Sequence, residues 1–186
     1  CGLLGGLLLL PSTGIVKLAY LLSGDKKKIF YRQVRVGKNG KTIRIWKFRS
    51  MVPNADEMLK ELLKDEKYRK KWEENQKFAD DPRITRVGRI LRKTSIDELP
   101  QLLNVIIGQM SLVGPRPPLP GEGARYTPYQ KQRLGVKCGI TCYWQASGRN
   151  DIGFDEWVEL DLKYIRERSL WTDLKIIGKT FGAVFS

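Results

Sequence analysis

A chain of 186 residues is long enough for one compact domain with its own core. Its 34 Lys and Arg against 20 Asp and Glu leave a net charge of +14, which points to an anionic partner: nucleic acid, anionic lipid or a phosphorylated substrate. With no histidine, any general base or metal ligand must be another residue, and three cysteines make neither a disulfide framework nor a zinc site, so a reducing compartment is expected.

Residues 3–22 are almost entirely apolar, with Lys17 their one charge. About 20 such residues match the thickness of a bilayer core. Lys26, Lys27 and Lys28 follow the run instead of preceding it, which argues against a secretory signal. Pro11 removes a backbone bond in the middle of the run and predicts a kink, where the Ser12 hydroxyl can satisfy a freed carbonyl. Three readings stand: a straight transmembrane helix, a buried core helix, and a kinked helix that dips into the bilayer and returns to the same face. The last lets Lys17 snorkel toward headgroups and sets the lysine cluster against anionic cytoplasmic lipid. The chain opens on this run, as the C-terminal part of a longer protein would.

Residues 29–36 and 41–48 are rich in β-branched and aromatic side chains, and Gly37-Lys38-Asn39-Gly40 between them is a turn signal, so a β-hairpin is expected. Its basic residues (Arg32, Arg35, Arg44, Lys47, Arg49) read as a solvated face, with Lys47 and Arg49 near enough to a strand end to reach a phosphate. Asn54 opens an amphipathic helix expected to reach about Phe78, with Met58, Leu59, Leu62, Leu63 and Trp72 apolar, suited to a membrane interface. After the break at Asp81-Pro82, Arg83, Arg86, Arg89 and Arg92 recur every three residues. Ile84, Val87, Ile90 and Leu91 are expected on the opposite side. Such a series serves as a solvated basic face or as bidentate phosphate contacts.

Arg92-Lys93-Thr94-Ser95-Ile96-Asp97-Glu98-Leu99-Pro100-Gln101 puts two adjacent carboxylates among cations, just ahead of an apolar helical pattern. Ser95-x-x-Glu98 fits a capping box. Pro100 argues that the helix starts only near Leu99, leaving Asp97 and Glu98 in front of it. Leu99, Leu102, Leu103, Ile106 and Ile107 are then expected on one apolar side, with Gly108 as the stop. Sixteen residues past Glu98 comes Gly114-Pro115-Arg116-Pro117-Pro118, in which Pro115 and Pro117 fix φ on both sides of Arg116 and pre-organise a guanidinium for a phosphate. From residue 135 to 151 the chain is turn-rich, with Gln145, Arg149 and Asn150 as loop candidates for ligand contact. Residues 154–168 are helical in pattern. Ser169 can cap a last helix carrying Leu170, Trp171, Leu174, Ile177, Phe181 and Phe185, and Asp161 and Asp173 are inward candidates in apolar stretches.

Taken in order, the blocks are Pro11-Ser12, Phe30-Tyr31-Arg32-Gln33-Val34-Arg35-Val36-Gly37, Lys47-Phe48-Arg49-Ser50-Met51, Asp97-Glu98-Leu99-Pro100-Gln101, Ser111-Leu112-Val113-Gly114-Pro115-Arg116-Pro117, Gly139-Ile140-Thr141, Trp144-Gln145, Ser147-Gly148-Arg149, Asp161 and Asp173. In that order they resemble the bacterial sugar transferase family, the monotopic polyprenyl-phosphate phosphoglycosyl transferases. The resemblance runs nearly end to end. It implies an α/β (α+β), mainly helical monotopic membrane domain: residues 1–22 as a re-entrant helix, then a catalytic domain over 23–186, with a small β-hairpin and interfacial amphipathic helices at the cytoplasmic face of the bacterial inner membrane. It implies transfer of a sugar-1-phosphate from a UDP-sugar, most simply a UDP-hexose, to undecaprenyl phosphate with release of UMP, at the start of surface-glycan assembly.

By the same resemblance Asp97 would be the nucleophile holding a covalent phosphosugar, and Asp97 with Glu98 would hold Mg²⁺. Arg92, Arg116 and Lys47 would contact phosphate, with Pro115, Pro117, Arg149 and Asp173 completing the substrate site. Membrane lipids and a second copy of the chain are further expected partners, and nucleic acid is not. Cys138 and Cys142 depart from the family pattern, where proline and glycine are more usual. A basic membrane-surface or nucleic-acid-binding protein without catalysis would account for the charge and the arginine series. It leaves the apolar segment and the acid pair unexplained.

Overall fold

The architecture is mixed α/β and mostly helical. A computed structural model describes residues 2–75, 78, 80–146 and 153–185. Helix α1 (Gly2–Leu22) leads into a hairpin of β1 (Phe30–Val36) and β2 (Thr42–Phe48). Short helices follow: α2 (Ala55–Leu62), α3 (Glu66–Asn75), α4 (Arg86–Lys93) and α5 (Gln101–Ile106). A second, parallel pair joins β3 (Ser111–Val113) to β4 (Gly139–Thr141) across α6 (Pro120–Ala124) and α7 (Pro128–Lys131). Helices α8 (Tyr143–Ala146), α9 (Phe154–Glu167) and α10 (Leu170–Phe185) close the chain.

Pro11 sits inside α1, and the hydroxyls of Ser12 and Thr13 both donate to the Leu9 carbonyl, at 2.9 and 2.7 Å. Among the described residues no helix is long and apolar enough to cross a membrane. Val16 and Tyr20 of α1 are buried in one core with Ile29, Phe48 and Leu91, against which Ile96 and Leu99 pack.

The hairpin forms where expected. Asn39 takes a left-handed conformation (φ 55°) in the turn, which an asparagine tolerates. Directly opposed residues share a sheet face, and the pairing runs from Phe30–Phe48 to Val36–Thr42. Tyr31, Gln33, Arg35, Ile43, Ile45 and Lys47 therefore lie on one face, and Phe30, Arg32, Val34, Arg44, Trp46 and Phe48 on the other.

Several expectations are corrected. The helix expected from Asn54 to Phe78 is two. The Asp65 side chain accepts from the Lys67 backbone N–H at 2.8 Å and starts α3 afresh, whereas Asn54 makes no side-chain cap. The arginine series is also divided. Thr85 caps α4 by accepting from Gly88, so Arg83 lies before the helix. There it is buried and held by both oxygens of Asp81 (2.8 and 2.7 Å), and it is no solvated arginine. Although burial pushes the Asp81 carboxyl upward, these bonds from Arg83 hold it below the usual range. Ile90, expected inside, is exposed. Gly88 lies against the Ser50 backbone, with no room there for a Cβ.

On α5 the apolar side faces in only in part: Leu99 and Leu103 pack against the core. Ile106 and Ile107 are exposed while Gln101 and Asn104 are buried. The reason is satisfaction of backbone polar groups: Asn104 accepts from the Trp46 N–H at 3.0 Å and donates to the Arg44 carbonyl at 2.8 Å, fastening α5 to β2.

Candidate active site

Asp97 and Glu98 lie in a single 3₁₀ turn, Ile96–Glu98, between α4 and α5. Ser95 before it takes a left-handed conformation (φ 56°, ψ 15°), and its side chain makes no capping hydrogen bond, so the capping box does not form. A non-glycine residue at positive φ stores local strain, and here it reverses the chain to set the acid pair ahead of Pro100. Ile96 and Leu99 bracket the pair and pack toward α1, which fixes the turn from below.

Glu98 takes an ion pair from Lys47 of β2 at 2.9 Å, with both side chains largely buried. Asp97 is 8% exposed. Burial raises its carboxyl above the usual range; Lys47 pulls it down, Glu98 adds repulsion, and Arg92 pulls down again. Arg92 itself is exposed and donates to the Ser50 hydroxyl at 2.9 Å.

Arg116 is presented by a rigid loop whose successive carbonyls are all used. Gly139 N–H donates to Pro115 O (3.0 Å), Arg133 reaches Arg116 O (3.5 Å), Arg35 donates to Pro117 O (3.1 Å) and Val36 N–H donates to Pro118 O (2.9 Å). The two prolines fix φ, and these bonds fix where the loop stands. Gly139 runs so close to Gly114 that a Cβ on either would strike the other strand. Lys47, Glu98, Gln101, Arg116, Pro117, Gln145 and the buried Arg35 line one narrow cleft. Its space, about 10 Å³, holds roughly one water. Burial, with repulsion from Arg116, brings the Arg35 guanidinium down to about 10, which still leaves it charged at neutral pH.

The cleft thus gathers three cations and a carboxylate beside a second, buried carboxylate. Of the residues named from sequence, Lys47, Glu98, Arg116 and Pro117 meet there, with Asp97 and Arg92 adjoining and Pro115 behind. Asp173 is not in the lining; its Oδ1 lies 2.8 Å from the Tyr164 hydroxyl, which also reaches the Val113 carbonyl just ahead of the Arg116 loop. Arg149 and Asn150 lie outside the described residues. Gln145 is no surface loop residue: it is buried, and its amide donates to Ile140 O at 3.1 Å.

Arg35, Gln101 and Arg133 were missed. Arg35 could have been found from strand alternation, since it falls on the Ile43–Ile45 side. Arg133 carried no local signal. It is buried with Asp161, to which its guanidinium donates, and with Tyr126, whose hydroxyl it reaches at 2.8 Å. Burial pushes the Asp161 carboxyl up to about 6 while Arg133 pulls against it. Cys138 and Cys142 are free, buried thiols, and burial raises Cys138 to about 11, so neither is poised as a nucleophile.

Two adjacent carboxylates are hard-oxygen donors of the kind Mg²⁺ takes from protein while substrate phosphates fill its remaining positions. Among the described residues no cluster of three or more metal-ligating side chains exists. The donor set of Asp97 and Glu98 fits a cation completed by a phosphorylated ligand.

The family model described as bacterial sugar transferase matches residues 1–186. The chain is 46% identical over 95% of its length to the UDP-galactose-lipid carrier transferase of Erwinia amylovora, covering 37% of that protein. It is 46% identical over 96% of its length to the undecaprenyl-phosphate galactose phosphotransferase of Salmonella typhimurium, covering 38%. It is 40% identical over 94% of its length to the UDP-glucose:undecaprenyl-phosphate glucose-1-phosphate transferase of Escherichia coli, covering 36%. The chain spans little more than a third of the length of these relatives.

Proposed function

Because the chain belongs to the bacterial sugar transferase family, we propose that it transfers a hexose-1-phosphate, galactose or glucose, from a UDP-sugar to undecaprenyl phosphate. The products are undecaprenyl-diphosphate-sugar and UMP, and the reaction starts exopolysaccharide assembly. The observation that carries this reading is the buried Asp97 carboxylate beside the Lys47–Glu98 pair, next to a cleft walled by Arg116 and Arg35. The names of these relatives support the substrates and the two sugars.

In this reading an oxygen of Asp97 attacks the β-phosphorus of the UDP-sugar. The bond from that phosphorus to the oxygen bridging the two phosphates breaks, and UMP leaves with the oxygen. An oxygen of undecaprenyl phosphate then attacks the same phosphorus and frees Asp97. A carboxylate needs no base to act as a nucleophile once ionised, which suits a chain without histidine. Its obstacle is repulsion from the diphosphate. Lys47 and Arg92 keep Asp97 ionisable, and the fixed guanidinium of Arg116 takes phosphate charge without reorganising. Mg²⁺ held by Asp97 and Glu98 would neutralise the diphosphate and stabilise the leaving phosphate. Exposed Leu10, Ile15, Leu18 and Leu22 on α1, with Ile106 and Ile107 at the end of α5, support seating on a membrane surface, in this reading the cytoplasmic face of the inner membrane.

The test is UMP release from UDP-galactose and UDP-glucose with undecaprenyl phosphate and Mg²⁺, for the parent and Asp97→Asn. Release by the parent, abolished by EDTA and lost by roughly 10³-fold or more in the variant, is the expected result. Equal release by both proteins would remove Asp97 as the nucleophile.

A further inference from the structure

We infer that the groove between α1 and the outer face of the hairpin is a binding site for the phosphate of an anionic membrane phospholipid, separate from the reaction cleft. The groove has a volume of about 780 Å³, within the range of about 300–1,000 Å³ usual for ligand sites. Lys17 and Tyr20 of α1, Lys26, Lys27 and Lys28 of the connection, and Arg32 and Trp46 of the hairpin line it. Five cations face one acid, Asp25. That acid is already held by Arg49 at 2.8 Å and by the Lys27 N–H at 2.9 Å. Among the described residues none of the five cations is in an ion pair. Like charges gathered around one cavity repel, so this wall is at its lowest energy with an anion between them.

The apolar part of the lining says where the anion comes from. Leu21, Ile29 and Phe30 share the groove with the lysines, and α1 continues from it into exposed Leu18 and Leu22. A soluble phosphate would have no use for that surface, whereas an acyl chain would lie along it. Arg32 stacks on Trp46, 3.8 Å from its centroid, which stiffens the polar end.

The sheet register argues against the acceptor of the proposed reaction as the occupant. Trp46 and Arg32 stand on one face of the hairpin, and Lys47, Ile45 and Arg35, which line the cleft, stand on the other. Lys47, which pairs with Glu98, therefore faces away from a phosphate in the groove. What that phosphate reaches is α1, whose Val16 and Tyr20 pack in the core that also seats Ile96 and Leu99 around Asp97. An occupied groove ties α1 to the hairpin and steadies that turn. This site rests on α1 lying at a membrane and not on the identity of the sugar.

The experiment uses the whole chain in neutral detergent with phosphatidylglycerol or phosphatidylcholine added, read by retained lipid in native mass spectrometry and by Tm. Phosphatidylglycerol should be retained one per chain and raise Tm, and phosphatidylcholine should do neither. In the double variant Lys17→Glu/Lys27→Glu the apparent affinity should fall at least about tenfold. Arg32→Gln should weaken it without reversing a charge, while Lys38→Glu/Lys41→Glu at the exposed hairpin turn should leave it unchanged. Equal losses in the groove and turn variants would reduce the effect to net charge and overturn the site. So would one-for-one displacement of phosphatidylglycerol by undecaprenyl phosphate, which would make the groove an acceptor site. UMP release by the parent stands or falls separately from every one of these readings.

Discussion

At the scale of the residue, Asp97 sets stability against chemistry. Its carboxyl is raised by burial, so the folded chain binds this proton more tightly than the unfolded chain does. The ionised group then costs stability at pH above its folded pKa, and the cost is relieved as pH falls through that value toward the unfolded one. Asp97→Asn should therefore raise Tm at neutral pH while abolishing UMP release, a pairing seen by thermal melting beside the transfer assay. Lys47 is the main cation opposing the shift. Lys47→Met should lower turnover roughly 10²-fold and move the acid limb of the pH–rate profile to higher pH. A limb that stays put, or moves down, would mean that another group sets the ionisation.

The acid pair, Arg116 and its two prolines were legible because their meaning is local: adjacent carboxylates and fixed φ angles show in a few letters. Arg133 and Gln101 were not, since their roles depend on partners far along the chain. Arg35 was misread as solvated because scattered charge on a strand usually is, and here the alternation deserved more weight than the charge.

Among the elements, the hairpin read cleanly because glycine-flanked Asn39 and two β-branched runs leave few alternatives. The β3–β4 pair went unseen. Three-residue strands carry too little periodicity, and their partnership spans from Ser111 to Gly139. Helix α5 was read correctly at Leu99 and Leu103 and wrongly at Ile106 and Ile107, because hydropathy has no way to weigh Asn104. That side chain is fully buried and serves two backbone groups of β2. Asn104→Ala leaves the Trp46 N–H and the Arg44 carbonyl without that partner and should cost at least about 2 kcal/mol in denaturant melts. Because β2 also carries Lys47, the same variant should lose turnover under conditions where it remains folded. Full activity in a folded Asn104→Ala protein would show that the strand holds its place without α5.

For the molecule as a whole, the apolar residues that refuse the core define a surface. Ile106 and Ile107, exposed at the end of α5, stand with the open face of α1, and those two elements are packed together. Ile106→Glu with Ile107→Glu should leave Tm nearly unchanged, as surface substitutions do, yet shift the protein from the membrane pellet to the supernatant in flotation. Retention of the double variant on membranes would assign attachment to α1 alone.

The hairpin is a wall one chain thick, and consecutive residues along it answer to different neighbours. In β1 and β2 the odd-numbered Arg35, Ile45 and Lys47 look into the reaction cleft, and the even-numbered Phe30, Arg32 and Trp46 look toward the groove. Alanine at Arg35, Ile45 and Lys47 should therefore cost sugar transfer, and alanine at Phe30, Arg32 and Trp46 should cost lipid affinity. Deleting one turn residue would move one strand out of step with the other and spoil both properties at once.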